Sequence, residues 1–388
     1  MKINYYNTPS SHAFDTSLIA EVPNFVNYKP DFALLNKLAA QLSKYENIVV
    51  IGHGGSVTSF AAMFEVLKSE SKKTVYIIST VDPAYIAEVK KKVSTVNTLV
   101  IAISKSGETV TQLEALMHFI YYPLLFVTGS MGPLAEIAHR MNATIVVHPS
   151  IGGRYTGFTE VALLPAVLCG LDAKSIYDGG QELLQAFSEN NPAYEAASIM
   201  MQLEDQGVCD VFMPIYSHEL INFGNLIVQL CHESFGKDGK GQTYFVHEAP
   251  ESQHHTNQRF FGGRKNIAGW FISTEQHGEQ LITKVPENLQ DIPLKSSTLA
   301  VLDGIPLQSS IHFEREATLE DARVHNIPLV DMQLEQLNSK EVGQAIAFWQ
   351  MFAVYSSWLR SVNPFDQPQV ENSKNISFAK REQFKGLL

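Results

Sequence analysis

TLVIAISKSGET, residues 98–109, joins a continuous run of apolar and β-branched side chains directly to a loop of three hydroxyls, a lysine and a glycine. A strand without polar alternation is buried on both faces, as in a parallel sheet covered by helices. The residues that follow, Gln112–Tyr121, have helical spacing. The same rhythm extends outward in both directions. NIVVI (47–51), TVYII (74–78), LLFVT (124–128) and ATIVV (143–147) are short apolar runs. Between them lie the helical patterns Ser59–Lys68, Tyr85–Lys92 and Leu134–Met141. Strands alternating with helices predict an α/β fold of three αβα layers around a mainly parallel sheet.

The rhythm restarts after the polar stretch Ser188–Glu195. Val211–Ile215 reads as a strand whose end Pro214 weakens, Glu219–Glu233 as a helix and Ile267–Ser273 as a strand. Leu299–Leu302 and Leu329–Met332 are candidate further strands. Asn338–Arg360 is a strong helix, with Asn338 as cap, Glu341 at the third position and Asn363-Pro364 as its stop. At 388 residues the chain is too long for one ordinary core. The expected organisation has four parts. An N-terminal extension (1–44) wraps the outside of the first domain (45–190); a second α/β domain (195–335) and a C-terminal helix and tail (336–388) follow.

Composition narrows the function classes. Lys+Arg 29 against Asp+Glu 40 gives a net charge of -11, which opposes nucleic acid or an anionic membrane as main partner. Cys169, Cys209 and Cys231 are far apart and odd in number, without disulfide or zinc spacing. The start, MKINYYNTPSSH, lacks an apolar signal region. The longest apolar run, near Val161–Leu171, is interrupted by Pro165 and too short to span a bilayer. A soluble cytoplasmic protein is expected.

Two loops suit an anionic ligand. Gly52-His53-Gly54-Gly55-Ser56 and Ser104-Lys105-Ser106-Gly107-Glu108-Thr109 both follow strands at their carboxyl ends and both open a helix. Free N–H groups at a helix start and small hydroxyls fit a phosphate dianion, although such hydroxyls also serve as plain helix caps. Nucleotide motifs fit poorly. Gly52, Gly54 and Gly55 lack the third glycine of the dinucleotide fingerprint, and in GKDGKGQT (236–243) Gln242 occupies the position of the Walker lysine.

SKSGET after a buried strand resembles the phosphate loop of sugar-isomerase (SIS) domains. Three further segments narrow the resemblance to the glucose-6-phosphate isomerase family. IGGRY (151–155) is similar to its GGRY segment, and QLCHESFGKDGKG (229–241) to its Q-x-x-x-E-S segment. NPFDQPQVENSK (363–374) is similar to its C-terminal N-P-F-D-Q-P-x-V-E-x-x-K. The four occur in the family's order across most of the chain. The resemblance implies two SIS-type domains, usually in a homodimer. It implies a sugar phosphate (glucose 6-phosphate or fructose 6-phosphate) as substrate, with no cofactor and no metal. It makes Glu233 the proton-shuttling base, Arg154 the group steadying the enediolate and Lys374 an aid to ring opening. Gln229 and Gln367 become substrate hydrogen-bonders, and Gly54, Gly55, Ser56, Ser104, Lys105, Ser106 and Thr109 line the phosphate and sugar. His254, with Gln258 four residues on, fits the spacing of the ring-opening histidine, within a locally divergent segment. Glu108 inside the phosphate loop must point away from the phosphate.

The chemistry requires these residue types. Moving a proton between two adjacent carbons needs one carboxylate over a planar enediol(ate). A fixed cation such as Arg154 meets the charge developing on oxygen, and a histidine titrates in the range useful for opening a ring. Each residue has a duller role open to it. Glu233 can be a solvated helix end, Arg154 a strand cap and Lys374 one of several solvated lysines. His247, His254 and His255 can be surface polar residues, and Gly236 denies His232-Glu233 the second histidine of a zinc-protease helix. Two alternatives remain at this stage: a bifunctional phosphoglucose/phosphomannose isomerase, and a non-catalytic SIS-domain sensor of sugar phosphates.

Overall fold

The computed structural model describes residues 1–387. The first half contains β1 (Lys2–Tyr6), α1 (Phe32–Gln41), β2 (Asn47–Ile51), α2 (Thr58–Leu67), β3 (Thr74–Ile78), α3 (Pro83–Lys92) and β4 (Thr98–Ser104). It continues through α4 (Val110–Met117), β5 (Leu124–Thr128), α5 (Pro133–Arg140), β6 (Thr144–Val147), α6 (Glu160–Cys169) and α7 (Ala173–Leu184). The second half runs α8 (Pro192–Asp205), β7 (Asp210–Tyr216), α9 (Ile221–Phe235), β8 (Thr243–Glu248), α10 (Thr256–Gly262) and β9 (Ile267–Gln276). It ends with the small strands β10 (Pro293–Leu294) and β11 (Ser297–Thr298), then α11 (Leu307–Val324), β12 (Leu329–Gln336), α12 (Ser339–Leu359) and α13 (Glu371–Leu387).

Two five-stranded sheets carry the fold. The first has the order β3-β2-β4-β5-β6 and is parallel throughout. All seven residues of its central strand β4 are buried, as the unbroken apolar run requires. The second has the order β1-β12-β9-β7-β8. Its last four strands are parallel, and β1 adds antiparallel to β12, pairing Lys2 with Gln333 and Tyr6 with Leu329. The chain start is therefore an edge strand of the second sheet, where a wrap around the first domain was expected. Ile3 and Tyr5 pack against one face of that sheet and Tyr6 against the other. Residues beyond β1 then run along α8, where the Tyr194 hydroxyl donates to the Ala13 carbonyl at 2.9 Å.

Pro214 does not end β7, which continues to Tyr216. The ladder to β9 pairs Phe212 with Gly269 and Ile215 with Ile272 and is interrupted between them, where proline has no N–H to give. Leu299–Leu302 is a 3₁₀ turn with none of its residues buried, not a strand. Its aliphatic run has no sheet to join.

α12 lies at the centre of the molecule, packed on α7, α8 and α9. It is buried nearly all round, the signature of a core helix. Its start is built as expected: Asn338 accepts from the Glu341 N–H at 2.9 Å. The Glu341 carboxylate turns instead to the N–H groups of Glu335 and Gln336, tying β12 to the helix. A Cβ on Gly343 would stand 1.9 Å from the Ile176 carbonyl oxygen, so only glycine lets α12 and α7 approach this closely.

No described helix is long and apolar enough to cross a membrane.

Candidate active site

The site forms where α9 ends against loops of the first sheet. α9 runs from the carboxyl end of β7, and its last turns carry Gln229, Glu233 and Ser234. Facing it are the glycine turn after β2 and the 3₁₀ turn Gly153–Tyr155 that holds Arg154. These two turns touch backbone to backbone: a Cβ on Gly55 would lie 2.1 Å from the Gly153 carbonyl carbon. A third component is the loop after α12, Asn363–Gln367.

Arg154 organises all of this. It is 3% exposed, and each of its five N–H donors has an acceptor. Nε donates to Ser234 Oγ at 2.9 Å, and Nη1 donates to Glu233 Oε2 at 3.1 Å and to Gln367 Oε1 at 2.7 Å. Nη2 donates to the carbonyls of Pro364 and Asp366. A buried guanidinium is tolerated only when satisfied in this way. Glu233 receives a second bond, from Gln229 Nε2 at 3.1 Å, and Thr58 Oγ1 holds the other end of that amide at 2.8 Å. The carboxylate is thus gripped on both oxygens while its side chain remains 31% exposed. It is fixed in direction and open to a ligand.

The 363–367 loop is clamped by a second cation. Lys237 Nζ donates to Asp366 Oδ1 at 2.6 Å and also to the Asn363 and Asp366 carbonyls. Lys237 holds the Asp366 carboxyl below its ordinary value through this hydrogen bond. Asn363 closes the loop internally, accepting from the Phe365 N–H at 2.9 Å. Sequence reasoning assigned no role to Ser234, Lys237 or Thr58. The signal for the first two was their place inside the quoted Q-x-x-x-E-S-F-G-K segment.

The loop after β4 stands at the carboxyl edge of the first sheet. Ser104 Oγ accepts from the Gly107 N–H at 3.1 Å and Ser106 Oγ from the Glu108 N–H at 3.2 Å. Both hydroxyls therefore shape the loop and keep a proton to donate. Thr109 caps α4 with its backbone and makes no side-chain cap bond. Lys105, Ser106 and Glu108 are exposed. Ser56 closes the glycine turn after β2, its N–H bonded to the His53 carbonyl, and Gly54 leaves room for the Gln229 amide. A cleft of about 340 Å³ opens beside these elements, bordered by Lys105, Ser150, Gly152 and Phe365.

Of the sequence-predicted residues, Arg154, Glu233, Gln229 and Gln367 form one hydrogen-bonded cluster with Gly54 and Gly55 against it. Lys374 and His254 are not bonded to it. Lys374 lies in the first turn of α13, 62% exposed, bonded to Glu371 at 2.7 Å. His254, itself exposed, ends the 3₁₀ turn Glu251–His254 after β8. Its neighbour Gln253 donates to Tyr216 Oη at 3.1 Å and to Thr318 Oγ1 of α11 at 2.9 Å. Val211, Met213 and Ile215 face the core shared with α9, whereas Phe212 and Tyr216 face α10 and α11. The His254 turn is therefore anchored on the opposite side of the second sheet from α9. His232 is structural: its Nε2 accepts from the Tyr244 N–H at 3.0 Å, and burial lowers its pKa. Among the described residues, no group of three or more His, Cys, Asp and Glu side chains is placed to hold a metal ion.

Residues 39–386 match the phosphoglucose isomerase family. The chain belongs to that family. Similar relatives include a probable glucose-6-phosphate isomerase of Haloarcula marismortui, 25% identical over 90% of this chain and 81% of the relative. The glucose-6-phosphate isomerase of Methanocaldococcus jannaschii is 27% identical over 86% and 84% respectively. The crystal structure of a glucose-6-phosphate isomerase from Chlamydia trachomatis superimposes with a TM-score of 0.76 at 19% identity, covering 91% of this chain and 73% of that one. The two-sheet SIS architecture is thus the phosphoglucose isomerase fold. Membership in the phosphoglucose isomerase family also accounts for the placing of GGRY, Q-x-x-x-E-S and N-P-F-D-Q on three elements that meet at Arg154.

Proposed function

We infer that the chain is a glucose-6-phosphate isomerase, an intramolecular aldose–ketose isomerase acting on glucose 6-phosphate and fructose 6-phosphate. The observation that carries this reading is the Glu233 carboxylate, held between Gln229 Nε2 and Arg154 Nη1 while its side chain stays partly exposed. A carboxylate so held takes the proton from the carbon beside the carbonyl and returns it to the adjacent carbon. As Glu233 becomes neutral its bond to Arg154 weakens. Nη1 is then released toward the oxygen on which enediolate charge develops, so one cation serves both stages. Gln367, fixed by the same Nη1, is set to bind a sugar hydroxyl. The hydroxyls of Ser104, Ser106 and Thr109, with the α4 N-terminus and Lys105, bind the phosphate.

Ring opening calls for a further acid/base. The His254 turn lies across the second sheet from Glu233, and from the β7 end of α9 to Glu233 is about 20 Å at 1.5 Å per residue. His254 therefore serves the site of a second copy in a two-fold homodimer, with Lys374 assisting. The substrates are charged phosphates that membranes confine, which supports a cytoplasmic location for the enzyme.

The test is purified protein with fructose 6-phosphate, its product coupled to a glucose-6-phosphate dehydrogenase. Turnover is expected. Binding of the sugar phosphate without turnover would make the chain a sensor and overturn the reading. A second arm with mannose 6-phosphate decides whether the enzyme is bifunctional.

A further inference from the structure

α13 is a helix without a core. None of its residues is buried, and Ile376, Phe378 and Phe384 are 50%, 49% and 62% exposed. Among the described residues, apart from the Ser373 bond to the Val370 carbonyl in the turn just before it, one side chain bonds it to the rest of the molecule. Arg381 forks onto Glu114, with Nε to Oε1 at 2.6 Å and Nη2 to Oε2 at 2.7 Å. Its remaining nitrogen donates to Ser377 Oγ at 2.6 Å and to the Ser377 carbonyl at 3.1 Å. The fork is thus oriented from within its own helix. Glu114 stands one turn into α4, the helix that Thr109 of the phosphate loop caps.

The spacing along the chain gives this pair a consequence. Gln367 is bonded to Arg154 in the site, and Arg381 is bonded to Glu114 beside the phosphate loop's helix. Lys374 lies seven residues from each anchor. Seven residues are close to two helical turns, so Lys374 and Arg381 share one face of α13. The face that Arg381 turns to α4 is the face that carries Lys374.

We propose that Arg381 and Glu114 are positioning residues for the isomerase reaction, fixing α13 so that Lys374 faces the substrate. The proposal rests on the reading of Lys374 as an aid to ring opening. Without the fork, α13 keeps its anchor at Gln367 but loses its orientation, and the face carrying Lys374, which is already 62% exposed, is no longer held in one direction. Because the pair is partly exposed and covers no core, its loss leaves folding intact. Only the bidentate guanidinium fixes an angle; lysine supplies a point charge.

The test compares kcat and KM for fructose 6-phosphate across a set of variants. Arg381→Ala and Glu114→Ala are each expected to lower kcat about three- to tenfold with KM nearly unchanged, the scale of a lost fork–carboxylate pair. Arg381→Lys should fall between them and the parent. The charge swap Glu114→Arg with Arg381→Glu should restore part of the loss. In a Lys374→Ala background, Arg381→Ala should cost nothing more, because the two act through one group. An impaired Lys374→Ala beside a fully active Arg381→Ala, or losses that multiply in the double variant, would overturn the proposal. A fully active Lys374→Ala would remove its premise and leave the role of Glu233 standing.

Discussion

Arg154 is the residue on which the site depends, because five bonds radiate from one buried group to two other segments, the end of α9 and the 363–367 loop. Arg154→Lys keeps the charge but cannot reach Ser234, Glu233, Gln367 and two carbonyls together. It should lower kcat at least about 100-fold, since a misplacement of about 1 Å at a reacting centre costs that much. It should also destabilise the fold by about 1.5–3 kcal/mol, the cost of lost hydrogen bonds to a charged group. Denaturant midpoints and steady-state kinetics measure the two effects separately. Near-normal values of both would show that the network is decorative. Glu233, Gln229, Arg154 and Gln367 were legible in the sequence because the motifs carrying them are distinctive. Ser234, Thr58 and Lys237 were not, because a serine, a threonine or a lysine near a glycine turn has many uses. Only packing shows that Ser234 Oγ meets Arg154 and that Lys237 pins Asp366.

At the scale of elements, α9 and β8 are locked together by His232, one residue before Glu233. Its Nε2 accepts from the Tyr244 N–H, so the folded state keeps this ring neutral, and burial lowers its pKa from 6.5. The folded chain binds this proton less readily than the unfolded chain. The contribution is whole above the unfolded value and is lost as pH falls through the depressed one. Wild type should therefore lose stability as pH falls below the ordinary histidine value of about 6.5. His232→Gln, whose amide oxygen can accept the same N–H, should lose less across that window. Equal losses of unfolding free energy in the two proteins over this range, read from denaturant midpoints at unchanged slope, would contradict this. Elements were legible where burial left a plain pattern. The strands of the first sheet are unbroken apolar runs, and the cap at Asn338 marks α12. β8 (TYFVHE) escaped notice because half its residues are polar and its outer edge is exposed. α11 escaped because it buries only Arg315, Thr318, Leu319 and Ala322 along 18 residues. Leu299–Leu302 misled in the other direction, since an aliphatic run on an exposed turn mimics a strand. β1 could not be placed from its sequence, because five residues do not say which sheet edge they will complete.

At the scale of the whole molecule, the two sheets contribute unlike parts: the first provides the proposed phosphate loop and Arg154, the second the proposed base, Glu233, at the far end of α9. His254 lies across the second sheet from Glu233, and the proposed dimer supplies it to the site of a second copy. Mixing Glu233→Gln with His254→Asn tests the arrangement. Each mixed dimer would hold one intact site, so random exchange should restore about one quarter of wild-type activity on ring-closed substrate. If His254 acted within its own chain, mixing would restore nothing. The central claim, that Glu233 carries the proton, is tested most directly by isomerising fructose 6-phosphate in deuterated water and following hydrogen exchange at the carbon beside the carbonyl. Exchange at this carbon needs the base but not completed isomerisation. The wild-type enzyme should incorporate solvent deuterium. Glu233→Gln, whose phosphate loop is untouched, should still bind sugar phosphate but exchange about 10²–10⁴-fold more slowly, the loss expected for a missing general base. Near-normal exchange in Glu233→Gln would contradict the account and move the search for the base to Glu248 or Glu251.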